Sequence, residues 1–146
     1  MPAEAGPRRL LFLCTGNSCR SQMAEGWARH FAGDRFAIHS AGIEAHGQNP
    51  RAIAVMAEAG VDISGQQSTR LTAAMLAEVD LVVTVCGHAD EHCPVLPAGV
   101  RRMHWPLDDP ARASGDEAAI MATFRRSRDA IRDRVRSLIE TLESKP

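Results

Sequence analysis

With 146 residues, 45% hydrophobic and 24% charged, the chain has the length of one ordinary domain and enough apolar material for a core. A formal net charge of −1 gives no general attraction to nucleic acid or anionic membrane. Tyrosine is absent and aromatics make up 4%, which argues against a base-stacking surface. No apolar run approaches the ~18 residues of a membrane span, so any anion site has to be local.

Residues 1–7 carry no signal-peptide core and are expected to be a tail outside a domain spanning 8–146. The chain reads as cytoplasmic, and its four cysteines as reactive or metal-binding rather than as structural bridges. Leu10-Leu11-Phe12-Leu13 predicts a buried strand ending at Cys14, and residues 21–31 predict a helix with Met23, Trp27 and Phe31 on one face. Between them runs Cys14-Thr15-Gly16-Asn17-Ser18-Cys19-Arg20-Ser21. A loop leading from a strand into a helix aims successive backbone N–H groups at one point, where the helix start adds roughly half a positive charge. That is a cradle for an oxyanion.

Two side chains make the cradle reactive. Arg20, six residues after Cys14, offers a bidentate fork to a tetrahedral anion. Beside that charge Cys14 is expected to ionise readily, since thiols at helix starts or next to cations fall from about 8.5 into the range 3.5–7.5. Ser21 can donate a hydrogen bond to the sulfur, Gly16 permits a backbone path closed to other residues, and Asn17 can tie the loop to itself.

Further along, residues 36–40 predict a second strand. Asn49-Pro50 reads as cap and first residue of a helix burying Ile53, Met56, Ala57 and Gly60. A short helix over 71–79 leads into Leu81-Val82-Val83-Thr84-Val85, a buried strand reaching Cys86 in the register in which the first strand reaches Cys14. Residues 100–105 predict an outer strand, followed by Pro106-Leu107-Asp108-Asp109-Pro110. A helix over 115–142 carries Ile120, Phe124, Ile131, Val135, Leu138 and Leu142 at helical spacing, with Arg125-Arg126-Ser127-Arg128 on a solvated face. Strands alternating with helices give an α/β fold with an open parallel sheet, which binds ligands beyond the carboxyl ends of its strands.

Cys86 and Cys93 stand seven positions apart, with His88 and His92 between them. This is not the Cys-X2–4-Cys spacing of a zinc knuckle, so no metal set is assigned, although the two histidines keep a zinc- or redox-sensing reading in play. A Cys86–Cys93 disulfide requires the two Cα atoms to come within about 7 Å.

Over residues 10–142 the sequence resembles the thioredoxin-coupled arsenate reductases, which share the fold of the low-molecular-weight protein tyrosine phosphatases. The resemblance rests on the run from Cys14 to Gln22, on Ser40-Ala41-Gly42-Ile43-Glu44-Ala45-His46-Gly47, on Val85-Cys86-Gly87 through Cys93-Pro94, and on Asp108-Asp109-Pro110-Ala111. It implies a single-domain, four-stranded parallel sheet flanked by helices. It further implies that Thr15 to Ser21, including Gly16, Asn17, Ser18, Cys19 and Arg20, bind arsenate, and that the Cys14 thiolate attacks it. Asp109, with Asp108 as the alternative, acts as general acid. Cys86 then attacks Cys14 and Cys93 attacks Cys86, leaving a Cys86–Cys93 disulfide for thioredoxin to reduce.

The phosphatase branch, which usually places tyrosines after its Asp-Pro, is the competing reading; here Pro110 precedes Ala111-Arg112-Ala113. The partners implied are arsenate and thioredoxin, acting on a monomer with no tightly bound cofactor; a glutaredoxin or a small thiol could replace thioredoxin without changing Cys14 or Arg20. Some relatives bind potassium through an Asn, a Glu, a Ser and an Asp. Asn17, Glu25 and Ser40 match that set, but Thr69 stands where the Asp is expected, and Glu25 also reads as a surface partner of Arg29 at i+4.

Overall fold

β1, Arg9–Cys14, is buried at every residue after Arg9, because it lies between two neighbours in a sheet covered on both faces. The computed structural model describes residues 9–144; the expected tail, residues 1–7, lies outside the described residues. Strand order is β2 (Ala37–Gly42), β1, β3 (Leu81–Thr84), β4 (Arg101–His104), and every pairing is parallel. The expected four-stranded α/β sheet is thus present as a single domain. β3 is fully buried, whereas edge strand β4 shows the alternation-poor, arginine-rich pattern of a half-solvated edge.

α1, Arg20–Ala32, is buried almost all round from Ser21 to Ala28, since it is held between the sheet and the long α5, Glu117–Glu143. The Trp27 indole donates to the Arg128 carbonyl at 3.2 Å, fixing the crossing of the two helices. α2, Pro50–Glu58, starts as expected, with the Asn49 side chain accepting from the N–H groups of Arg51 and Ala52. Its buried side is different. Ala52, Val55 and Met56 face inward, while Ala57 and Gly60 are exposed and Ile53 is half-buried, because α2 packs against both α1 and α5.

The arginine stretch of α5 also departs from a purely solvated face. Arg125 forks onto Glu58 at 2.9 Å through both nitrogens, and Arg128, 13% exposed, reaches the Val55 carbonyl and Glu58, clamping α5 to α2. α3 is the short Ala73–Ala77, within the span expected. Among the described residues no helix is long and apolar enough to cross a membrane.

Gly42, at the carboxyl end of β2, sets the path of the loop beside it. A Cβ there would lie 2.2 Å from the Glu44 carbonyl oxygen and 2.7 Å from the Asn17 nitrogen, both backbone atoms that cannot swing away. Gly42→Ala is expected to cost about 1–3 kcal/mol by overpacking, read as a lower urea midpoint at unchanged m-value.

Candidate active site

The loop begins where β1 ends. Cys14, 3% exposed, receives the Asn17 backbone N–H at 3.1 Å and lies 2.8 Å from the Ser21 hydroxyl, so its sulfur is held by two groups suited to an anion. Asn17 takes a left-handed backbone (φ 49°), which its short polar side chain tolerates and which folds the loop back on itself. Gly16 passes so close to His46 that a Cβ would meet the ring at 2.2 Å. The first turn of α1 opens at Arg20, so its unpaired N–H groups end at this loop.

A cavity of about 790 Å³ opens over the loop; Cys14, Thr15 and Arg20 of the loop line it together with Cys86, Asp108 and Asp109. The Arg20 guanidinium is only 11% exposed. It donates to the Leu107 carbonyl at 2.8 Å and lies 3.7 Å from an Asp109 oxygen, so the loop after β4 fixes the plane of the fork. Asp109 is half-buried and its second oxygen accepts from the Ala111 N–H, whereas Asp108 is exposed.

Cys86, 5% exposed, lines the same cavity, with the Thr15 hydroxyl 3.2 Å from its sulfur. Its expected alignment with Cys14 is off by one residue. Leu13 pairs with Thr84 and the Val85 N–H bonds to the Leu13 carbonyl, so Val85 is level with Cys14 and Cys86 lies one residue further on. Cys86, two residues past the end of β3, caps α4, Gly87–His92, with its sulfur, which accepts the Ala89 N–H at 3.3 Å.

Residues 87–92 form a helix, and it keeps Cys86 and Cys93 at opposite ends. Cys93, half-buried, does not line the cavity. Between them the His88 and His92 rings stack at 4.1 Å. Among the described residues no three His, Cys, Asp or Glu side chains converge as a metal set.

The family model described as low molecular weight phosphotyrosine protein phosphatase matches residues 9–146. The chain belongs to that family. Among family members, the arsenate reductase of Bacillus subtilis strain 168 is 54% identical over 132 residues, covering 90% of this chain and 95% of that one. An arsenate reductase solved in its oxidised state superposes with a TM-score of 0.78 at 33% identity, covering 92% of this chain and 98% of that one. The thioredoxin-dependent arsenate reductase of Corynebacterium glutamicum gives 0.74 at 27% identity, covering 96% of this chain and 64% of that longer one.

Of the two buried cysteines in this family member's loop, Cys19 is chemically quiet. Burial first, then the nearby Asp109 and Cys14, pushes its thiol up to about 12, which leaves it protonated at neutral pH. Cys19→Ala is therefore expected to keep turnover within about threefold and to leave the neutral-pH alkylation stoichiometry unchanged, measured by peptide mass spectrometry.

Of the two sequence readings of Glu25, the helix-surface one does not hold. Glu25 is 7% exposed, accepts from the Ser40 hydroxyl at 2.5 Å and also pairs with Arg29. Its i+4 pairing is real, but that spacing looks the same on a buried face as on a solvated one.

Proposed function

We propose that this chain reduces arsenate to arsenite by a thiol relay through Cys14, Cys86 and Cys93, regenerated by thioredoxin. The observation that carries the reading is the pair of buried sulfurs, Cys14 and Cys86, facing one cavity across Thr15. A hydrolase on this loop uses a single thiol and water, and has no task for the second sulfur. The close relatives named arsenate reductase and the thioredoxin-dependent structural neighbour support the substrate and the donor.

In the first step Cys14 Sγ displaces one oxygen of arsenate, forming an S–As bond, with Asp109 donating the proton that lets the oxygen leave as water. Arg20 and the N–H groups of the loop hold the remaining oxygens. Cys86 Sγ then attacks Cys14 Sγ. The S–S bond forms, the S–As bond breaks, and its electron pair stays on arsenic, which leaves as arsenite.

Cys93 attacks the Cys86 sulfur next, releasing Cys14 as thiolate, and the thioredoxin dithiol reduces the Cys86–Cys93 bond. Two thiols are oxidised and one arsenic gains two electrons, so the cycle balances. The Thr15 hydroxyl, 3.2 Å from the Cys86 sulfur, orients that sulfur for the second step.

Burial pushes the Cys93 thiol up, against a smaller downward pull from Arg102. That upward push disfavours the thiolate, so the attacking form grows with pH. The rate of Cys86–Cys93 bond formation in single-turnover quench experiments is expected to rise about tenfold per pH unit below the Cys93 pKa.

The deciding assay follows NADPH oxidation with thioredoxin, thioredoxin reductase and arsenate. Sustained arsenate-dependent oxidation is the expected result. No oxidation, with efficient hydrolysis of an aryl phosphate that survives loss of Cys86 and Cys93, would transfer the site to phosphate-ester hydrolysis.

A further inference from the structure

Behind the loop, on the side away from the anion cavity, a hydrogen-bonded chain runs from Arg29 to Cys14, and donor counting fixes its direction. The Asn17 amide nitrogen donates to Ser21 Oγ at 2.8 Å and to Ser40 Oγ at 2.9 Å, using both of its N–H bonds. Each serine oxygen thus accepts a hydrogen bond from the amide and must donate its own O–H elsewhere. Ser40 sends it to Glu25 Oε1, and Ser21 sends it to Cys14 Sγ at 2.8 Å. The amide cannot be flipped, because Asn17 Oδ1 accepts from the Thr69 backbone N–H at 2.7 Å and faces Gln22 Nε2 at 3.3 Å.

Glu25 anchors the far end. Its Oε2 accepts from Arg29 Nε at 2.9 Å and lies 2.8 Å from the second guanidinium nitrogen, which also donates to the Ile38 carbonyl at 2.6 Å. A carboxylate this buried needs a positive charge, because an unpaired one is costly enough to protonate instead.

The oxygens matching the potassium set of some relatives do not fit such an ion here. Asn17 Oδ1 already faces two donors, Ser40 Oγ accepts one hydrogen bond and donates another, and both Glu25 oxygens are engaged. The place of the second carboxylate is held by the neutral Thr69, so Glu25 is the single anion of the group and one cation balances it. Among the described residues no buried side-chain N or O atom lacks a partner.

The geometry points to Arg29 as a built-in replacement for a monovalent cation: its guanidinium neutralises Glu25 and so holds Ser40, Asn17 and Ser21 in the order that delivers the Ser21 proton to Cys14. Arg29 and Glu25 are then positioning residues, and the chain works without potassium. Without the Arg29 guanidinium the Glu25 carboxylate has no cation to fix it against Ser40, and the order passed on through Asn17 to Ser21 loses its anchor.

This inference rests on Cys14 being the reactive thiol, but not on arsenate as its target, so its test avoids arsenate. The thermal midpoint of the native protein is compared in potassium chloride and choline chloride at equal ionic strength. Iodoacetamide labelling of Cys14 at pH 7 is followed by peptide mass spectrometry in the native protein, Arg29→Met and Arg29→Lys, with folding checked by circular dichroism.

Coincident midpoints are expected, with labelling slowed about fivefold in Arg29→Met and restored in Arg29→Lys, because the hydrogen bond to the thiolate is what the chain protects. A native midpoint raised by potassium over choline overturns the proposal. So does native-rate labelling in Arg29→Met. Because neither readout involves arsenate, failure of the reductase reading would leave both intact.

Discussion

Cys86→Ser is expected to abolish arsenate turnover, by more than about 10³-fold, while phosphate binding at the loop stays within about twofold of native. The argument is chemical rather than structural. A serine oxygen can still accept the Ala89 N–H that caps α4 and still face the Thr15 hydroxyl, so the local fold has no reason to change. It also leaves Cys14, Arg20 and the loop N–H groups untouched. What is lost is a sulfur able to attack another sulfur, and without that attack the electron pair of the S–As bond has no route to arsenic. Arsenite production measured beside phosphate titration by calorimetry separates the two effects. Native-rate arsenite production would remove Cys86 from the reaction, and weakened phosphate binding would show that it shapes the loop instead.

The loop was legible in sequence because strong signals meet there. A four-residue apolar run predicts the strand, an aromatic-alanine face predicts the helix, and Cys14 and Arg20 stand at the two ends of the connection. α4 was illegible for the opposite reason. Of its six residues only Ala89 is buried, so it has no apolar period to read, and its start is capped by a cysteine sulfur rather than by a residue typical of caps.

The same weakness explains the rotation of α2, where a small Ala52 faces inward while the larger Ile53 is only half-buried: packing between α1 and α5 outweighs side-chain size. The position of Cys86 depended on strand pairing. A single chain read in isolation fixes where a strand ends to within a residue or two, and one residue decides whether the sulfur belongs to the sheet or caps the next helix.

Burial arranges the sulfurs in an order suited to a relay. Cys14 and Cys86 are 3% and 5% exposed and share a cavity, Cys93 is half-buried outside it, and Cys19 is buried with its thiol pushed up to about 12. In the proposed cycle the oxidising equivalents therefore start at buried sulfurs, out of reach of a protein reductant. They must be carried outward before the cycle can close.

That requirement gives the second large effect: Cys93→Ser is expected to release about one arsenite per chain and then stop, holding a Cys14–Cys86 disulfide. In the reduced form Cys86 and Cys93 cap opposite ends of a six-residue helix, and seven helical steps of 1.5 Å put their Cα atoms about 10 Å apart. A disulfide needs less than about 7 Å, so α4 has to unwind for Cys93 to reach Cys86. With Ala89 as its one buried residue, the helix gives up little apolar burial in doing so. Amide exchange over residues 89–93 is therefore expected to quicken when the native protein is oxidised by arsenate, and to stay slower in arsenate-treated Cys93→Ser, where the relay halts one step earlier. Repeated turnover by Cys93→Ser with thioredoxin as the sole reductant would mean that the buried Cys14–Cys86 bond is reduced directly, and neither the third cysteine nor the unwinding of α4 would then belong to the cycle.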